Sequence, residues 1–150
     1  MARYFFDTSA LIKHYHAEIG TPKVRAILDE PGAEFLISRL ASVEMLSAFA
    51  IKVRTGVLAT ADFARVRGLF WADVKRRLVK PVRLLNAHYQ VAGDLIGTHG
   101  LARQLRTLDA LQLAVALRLH RTTPLDHFVC ADQRLCDIAA REGLAVITRS

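Results

Sequence analysis

Short apolar runs and longer amphipathic stretches take turns along this chain. Tyr4-Phe5-Phe6, Phe35-Leu36-Ile37, Val82-Arg83-Leu84-Leu85, His127 to Cys130 and Leu144 to Ile147 read as strands. Between them the apolar positions take helical spacing. Leu11, Ile12 and Tyr15 form one such face, and Val24, Ile27 and Leu28 a second, which starts at Thr21-Pro22 and stops at Pro31-Gly32. Leu46, Phe49, Ala50 and Val53 predict a helix from Ser42 to about Thr55-Gly56. Phe63, Val66, Leu69, Phe70 and Val74 predict another from Thr60 to Leu78, and a further helix runs from about Ala87 to His99 and stops at Gly100. Leu108 to Leu119 is apolar on nearly all sides, as a central buried helix would be, and Leu135, Ile138 and Ala139 mark the last helix. Strands alternating with helices predict the α/β class, with a parallel sheet covered on both faces.

In such sheets ligands gather beyond the carboxyl ends of the strands. Two acids stand there: Asp7 follows Tyr4-Phe5-Phe6, and Asp132 follows Phe128-Val129-Cys130-Ala131. Glu44 and Asp109 come two residues after the hydroxyls of Ser42 and Thr107, and each opens an apolar helical stretch that can face the same edge. Taken singly, Asp7 and Asp132 would serve as N-caps, and Glu44 and Asp109 as acids favoured by a helix's positive end. Taken together, four carboxylates in apolar surroundings repel one another and cost free energy to bury. A hard divalent cation with oxygen ligands, Mg²⁺ or Mn²⁺, is the simplest remedy.

Charge adds a second feature. The net charge is +7, and nine basic residues against two acids lie between Lys52 and Arg83, so the whole excess is local. A basic face of that kind, with Lys52, Arg54, Lys75, Arg76 and Arg77 as its candidates, suits either a polyanion such as nucleic acid or plain solvation. Six scattered histidines offer no metal-ligand spacing on a helix face, and Ser9 has no base beside it for a nucleophile's role. Cys130 and Cys136 are expected as core-packing thiols in a reducing compartment. The 150 residues are enough to bury a core, no apolar run approaches the ~20 residues of a membrane helix, and the early Asp7 does not fit a signal peptide. A soluble, cytoplasmic protein is the expectation. Phe70 is assigned to the core, with Trp71 open between core and interface.

At the acids the chain resembles a known family. Asp7-Thr8-Ser9-Ala10-Leu11 resembles the opening motif of PIN domains, in particular the VapC-type toxins of bacterial toxin–antitoxin pairs. Ser42-Val43-Glu44-Met45-Leu46-Ser47-Ala48 is similar to their second acidic motif, and Leu105 to Ala114 to their third. Phe128 to Leu135 resembles the fourth, and the four occur in the family's order over almost the whole chain. The end, Val146-Ile147-Thr148-Arg149-Ser150, departs from the Asn-Pro-like finish of many relatives.

The resemblance implies one PIN-like domain over residues 1–150, a three-layer α/β/α fold with a central, mostly parallel sheet. It implies a Mg²⁺- or Mn²⁺-dependent endoribonuclease in which Asp7, Glu44, Asp109 and Asp132 hold the metal and Ser9 supplies an accessory hydroxyl. It also implies a homodimer and a cognate antitoxin whose tail enters the active-site groove. Two other readings remain open: a PIN ribonuclease for RNA processing outside a toxin system, and a binding module that no longer catalyses. Loss of an acid would mark the last, and all four acids are present.

Overall fold

The computed structural model describes residues 1–148; Arg149 and Ser150, part of the departing C-terminal finish, lie outside the described residues. Five strands form one sheet: β1 (Arg3–Phe6), β2 (Glu34–Ser38), β3 (Lys80–Val82), β4 (His127–Val129) and β5 (Val146–Ile147). Their order is β3-β2-β1-β4-β5, and every neighbouring pair is parallel. Seven helices are seen among the described residues: α1 (Thr8–Tyr15), α2 (Thr21–Leu28), α3 (Arg39–Arg54), α4 (Thr60–Lys75), α5 (Asn86–Arg103), α6 (Thr107–Thr122) and α7 (Gln133–Arg141). The α/β expectation holds, with a sheet that is parallel throughout.

Alternation along the strands sorts the helices into two layers. Tyr4, Phe6, Phe35, Ile37 and Val129 point to one face, where α1 to α4 supply Leu11, Val24, Met45, Phe49, Val66 and Phe70. Phe5, Leu36 and Phe128 point to the other, against Leu111, Leu113 and Val115 of α6 and Leu135 and Ile138 of α7. Both faces are covered, which is why the strands read as unbroken apolar runs. Phe5 stacks on Phe128 with ring centroids 5.8 Å apart and no solvent exposure, so Phe5→Ala would cost about 3–5 kcal/mol.

Several boundaries differ from the sequence expectation, each for a local reason. The expected strand Val82–Leu85 is instead Lys80–Val82, paired with Leu36 to Ser38. Pro81 cannot donate to a ladder, but β3 is an edge strand and needs no second partner. Leu85 becomes the N-cap of α5, with its N–H donating to His88 Nδ1 at 2.8 Å. That helix runs past Gly100 to Arg103 and ends where Gln104 turns left-handed at φ 54°. α4 stops at Lys75 rather than Leu78, since Arg77 has φ 63°. α3 begins three residues before Ser42, because Ser38 is its cap and Ser38 Oγ accepts from the Leu40 N–H at 3.1 Å.

Phe70 is fully buried, as expected, while Trp71 is 43% exposed and tilts against it. The cysteines are a correction. Both lie in the core as expected, but they are joined as a disulfide, with Cα atoms 6.0 Å apart, across the turn from β4 into α7. Among the described residues no helix is long and apolar enough to cross a membrane.

Candidate active site

The chain winds from β1 to β2 to β3 in one direction, then returns to place β4 and β5 on the other side of β1. α1 therefore leaves β1 for one face and α7 leaves β4 for the other, opening a crevice at the carboxyl ends of these adjacent strands. Asp7 and Asp132 stand at its two lips. The Asp7 N–H donates to the Val129 carbonyl at 2.9 Å, which extends the β1–β4 ladder by one bond and pins Asp7 beside the loop that carries Asp132. Each acid is also the N-cap of its helix. Asp7 Oδ2 accepts from the Ser9 N–H, and Asp132 Oδ1 from the N–H groups of Arg134 and Leu135. Cap and cluster, rivals in the sequence reading, are both true of these two residues.

Glu44 and Asp109 reach the same cavity from the helices on either side. Because α3 starts at Arg39, Glu44 sits in its second turn, beyond the macrodipole explanation that its expected first-turn position allowed. Asp109 is in the first turn of α6, whose cap residue Arg106 makes no side-chain capping bond. Together the four acids, with Thr8, Ser9, Leu40, Val43, Ala48, Ile51, Arg106 and Leu108 among their neighbours, line a cavity of about 460 Å³.

Burial and mutual repulsion set the acids' proton affinities. Asp7, nearly inaccessible to solvent, is pushed up to about 7, first by desolvation and then by the Asp109 and Glu44 charges, against hydrogen bonds from Ser9 that favour ionisation. Desolvation also raises Glu44, opposed by a hydrogen bond from Gln112. Asp109 is raised by desolvation and by Asp132, with the Arg106 guanidinium pulling the other way. Against four carboxylates the cavity lining carries one cation, Arg106.

Two polar residues hold this arrangement together. Ser9 Oγ donates its one proton to Asp7 Oδ2 at 2.5 Å and accepts the N–H groups of Ala131 and Asp132 at 3.1 and 3.3 Å. It is a strut between the two lips, acting on the acids through Asp7 and the Asp132 loop. Gln112, fully buried on α6, donates from Nε2 to Thr8 Oγ1 at 2.8 Å and to Glu44 Oε1, while its Oε1 has no partner. Sequence reasoning missed Gln112 as a positioning residue. Its signal was a lone amide in an otherwise apolar helix, where an unpaired polar group would be costly.

The donor set fits a hard divalent cation. Oxygen atoms of four carboxylates face one cavity that no imidazole or thiolate lines, with an orphaned amide oxygen beside Glu44. Among the described residues no group of three or more acidic, histidine or cysteine side chains is arranged to hold a metal unaided. Mg²⁺ asks for less, since it retains several waters and takes one or two carboxylates.

The basic residues singled out by charge lie elsewhere. Lys52 Nζ pairs with Glu18 Oε2 at 3.1 Å, and Arg76 Nη2 with Asp73 Oδ1 at 2.8 Å. Asp73 accepts from the Tyr15 hydroxyl at the last residue of α1, about 12 Å of helix from Asp7. Arg54, Lys75 and Arg77 are exposed, and none of these five residues lines the acid cavity. The arginines that do approach the acids are Arg106 and Arg134, which share a cleft with Asp109 and Asp132.

The family model for the PIN domain matches residues 4–141 of the chain. No curated protein matches it.

Proposed function

Starting from a chain that belongs to the PIN domain family, whose members are generally metal-dependent nucleases, we propose a Mg²⁺- or Mn²⁺-dependent endoribonuclease that serves as the toxin of a VapBC-like type II pair. One observation carries the nuclease reading. Four acids from four separate elements meet at the crevice between β1 and β4, in surroundings that raise three of them and offer little positive charge. An arrangement this unfavourable to the apo protein is one that a cation relieves.

In this reading the ion would sit among Asp7, Glu44, Asp109 and Asp132, with one or two of these carboxylates as direct ligands and its retained waters meeting the others. When bound, the ion supplies a Lewis acid that lowers the pKa of a water and offsets charge on the phosphodiester. Asp7, half protonated near neutral pH, gives up its proton to become a ligand, so cation affinity rises with pH. Gln112 keeps Glu44 in place and favours its ionised form. Ser9 keeps the Asp7 and Asp132 lips at a constant separation. Lys52, Arg54, Lys75, Arg76 and Arg77 add long-range attraction for RNA from outside the cavity.

The toxin assignment rests on the motif resemblance, as do the antitoxin and the homodimer. Val43, 67% exposed, and the solvent-facing Leu85 and Tyr89 are apolar surface that a second chain would cover. The cytoplasm belongs to the same proposal.

RNA cleavage by the purified protein with Mg²⁺, with Mn²⁺ and with EDTA, beside Asp7→Ala and Asp109→Asn, tests the chemistry. Metal-dependent cutting lost in both variants is the expected result; cutting that persists in EDTA or in the variants defeats it. Growth arrest on expression, relieved by a small protein encoded next to this gene, tests the toxin role. Absence of arrest despite metal-dependent cutting would favour RNA processing instead.

A further inference from the structure

A groove beyond the acid cavity has no role in the reading above. The cleft that holds Asp109 and Asp132 is bounded by Gln104, Arg106, Arg134 and Ile138. Gln104 and Arg134 also belong to the next depression, a cavity of about 300 Å³ lined by Ala102, Arg103, Gln104, Arg134, Asp137 and Arg141. A continuous path thus leads from the acids, past Arg106 and Arg134, to Arg103 and Arg141. We infer that this groove, between the end of α5 and the outer face of α7, binds the phosphate backbone of the RNA strand as it leaves the acid cavity. The inference deepens the nuclease reading and rests on it.

Four arginines line the path, and beyond Asp109 and Asp132 at its start one further acid, Asp137, opposes them. Asp137 is engaged by Gln133, whose Nε2 donates to its Oδ1 at 2.7 Å. Arg134 and Arg141 are exposed, and among the described residues their side chains make no ion pair or hydrogen bond. They are seven residues apart on α7, two turns, so they share a face about 10 Å in length. Arginine there presents five donors in a fixed fork that matches phosphate oxygens.

The remaining two arginines are set by the site itself. Arg103 Nη1 donates to His99 Nδ1 at 3.3 Å, and buried His99 reaches Glu142 Oε2 from Nε2 at 3.0 Å, tying the end of α5 to the end of α7. This fixes the width of the groove. Arg106 stands where the groove meets the acids, opposing the Asp109 charge. A polyanion threaded there passes from carboxylates that need a cation to guanidiniums that need an anion, so the scissile phosphate and its neighbours are served by different halves of one channel.

The test uses the full chain and the double variant Arg134→Ala/Arg141→Ala, whose exposed side chains leave the core intact. Anisotropy of a labelled, unstructured RNA of about a dozen nucleotides, in EDTA and over a series of salt concentrations, reads the contacts directly. Each lost phosphate contact should flatten the slope of log K against log salt by about 0.7, so the double variant loses about 1.4. The single variant Arg141→Ala, outside the cleft that holds Asp109 and Asp132, hydrolyses bis(p-nitrophenyl) phosphate at the wild-type rate, because that diester is too small to reach it. Wild-type protein that cuts RNA, with a salt slope unchanged in the double variant, overturns the groove and leaves the nuclease standing. Wild-type protein that cuts neither RNA nor the small diester with any metal removes the nuclease reading and the groove's role with it. An unchanged RNA slope with lost binding of a polyglutamate peptide would give the groove to an acidic protein segment instead.

Discussion

The two sides of the acid cavity are built from opposite materials. On the α3 side Leu40, Val43, Ala48 and Ile51 present an apolar wall, while on the α6–α7 side Arg106 and Arg134 approach the carboxylates. Asp7 and Glu44 are raised by desolvation with no arginine to oppose it, whereas Asp109 has the Arg106 guanidinium in opposition. A greasy wall makes carboxylates reluctant to ionise without a counter-charge, and a basic wall gives a polyanion somewhere to lie. One wall favours the cation and the other the substrate.

The largest expected effect breaks the apolar side. Asp7 titrates at about 7 in the fold against an ordinary 3.8. Between those values the metal-free folded protein holds a proton that the unfolded chain has released, so its stability falls as pH rises through that window and stays low above it. Asp7→Asn should therefore be more stable than wild type at pH 8 in EDTA by up to about 4 kcal/mol, with no advantage at the acid end of the window. Urea melts at the two pH values check this, and equal stability at pH 8 would mean that Asp7 is not desolvated as the fold requires. Mg²⁺ should narrow the gap by stabilising wild type alone.

Next in size, Asp109→Asn should fold normally and cut RNA at least about 100-fold more slowly, read in single-turnover assays. Wild-type turnover would take Asp109 out of the chemistry. Smaller again, Gln112→Met removes the donor that favours ionised Glu44, so the acid limb of the pH–rate profile should move to higher pH. Arg106→Ala removes the charge that restrains Asp109 and should move the same limb in the same direction. A profile that stays in place in both variants would separate these residues from the acids they touch. The smallest effect belongs to the distal basic face. Arg76 is two-thirds exposed in its ion pair with Asp73, so Arg76→Ala should cost under about 1 kcal/mol in stability and leave hydrolysis of a small diester unchanged.

Much of this was legible locally. Strand periodicity marked where β1, β2 and β4 would lie, and the carboxyl-end rule for parallel sheets put Asp7 and Asp132 on the ligand-binding edge; that they are neighbours follows only from the pairing of β1 with β4. The errors were at element boundaries, where a cap, a left-handed turn or a place at the sheet edge decides. Pro81 joins a strand because β3 is at the edge, α5 passes through Gly100 because Gln104 takes the turn, and α3 starts early because Ser38 caps it. The Cys130–Cys136 pairing was missed because six residues of separation become one side-chain contact only when β4 turns into α7.

The pattern of residues by itself determined the α/β alternation, the order of the acidic motifs and the concentration of positive charge between Lys52 and Arg83. These are properties of spacing, which local geometry reads directly. Tertiary structure alone decided that Asp7 is desolvated, that Gln112 is the donor facing Glu44, and that Arg106 and Arg134 approach the acids while Arg76 pairs at the far end of α1. Desolvation and Coulomb attraction depend on distances through space, and those exist only once the chain has folded.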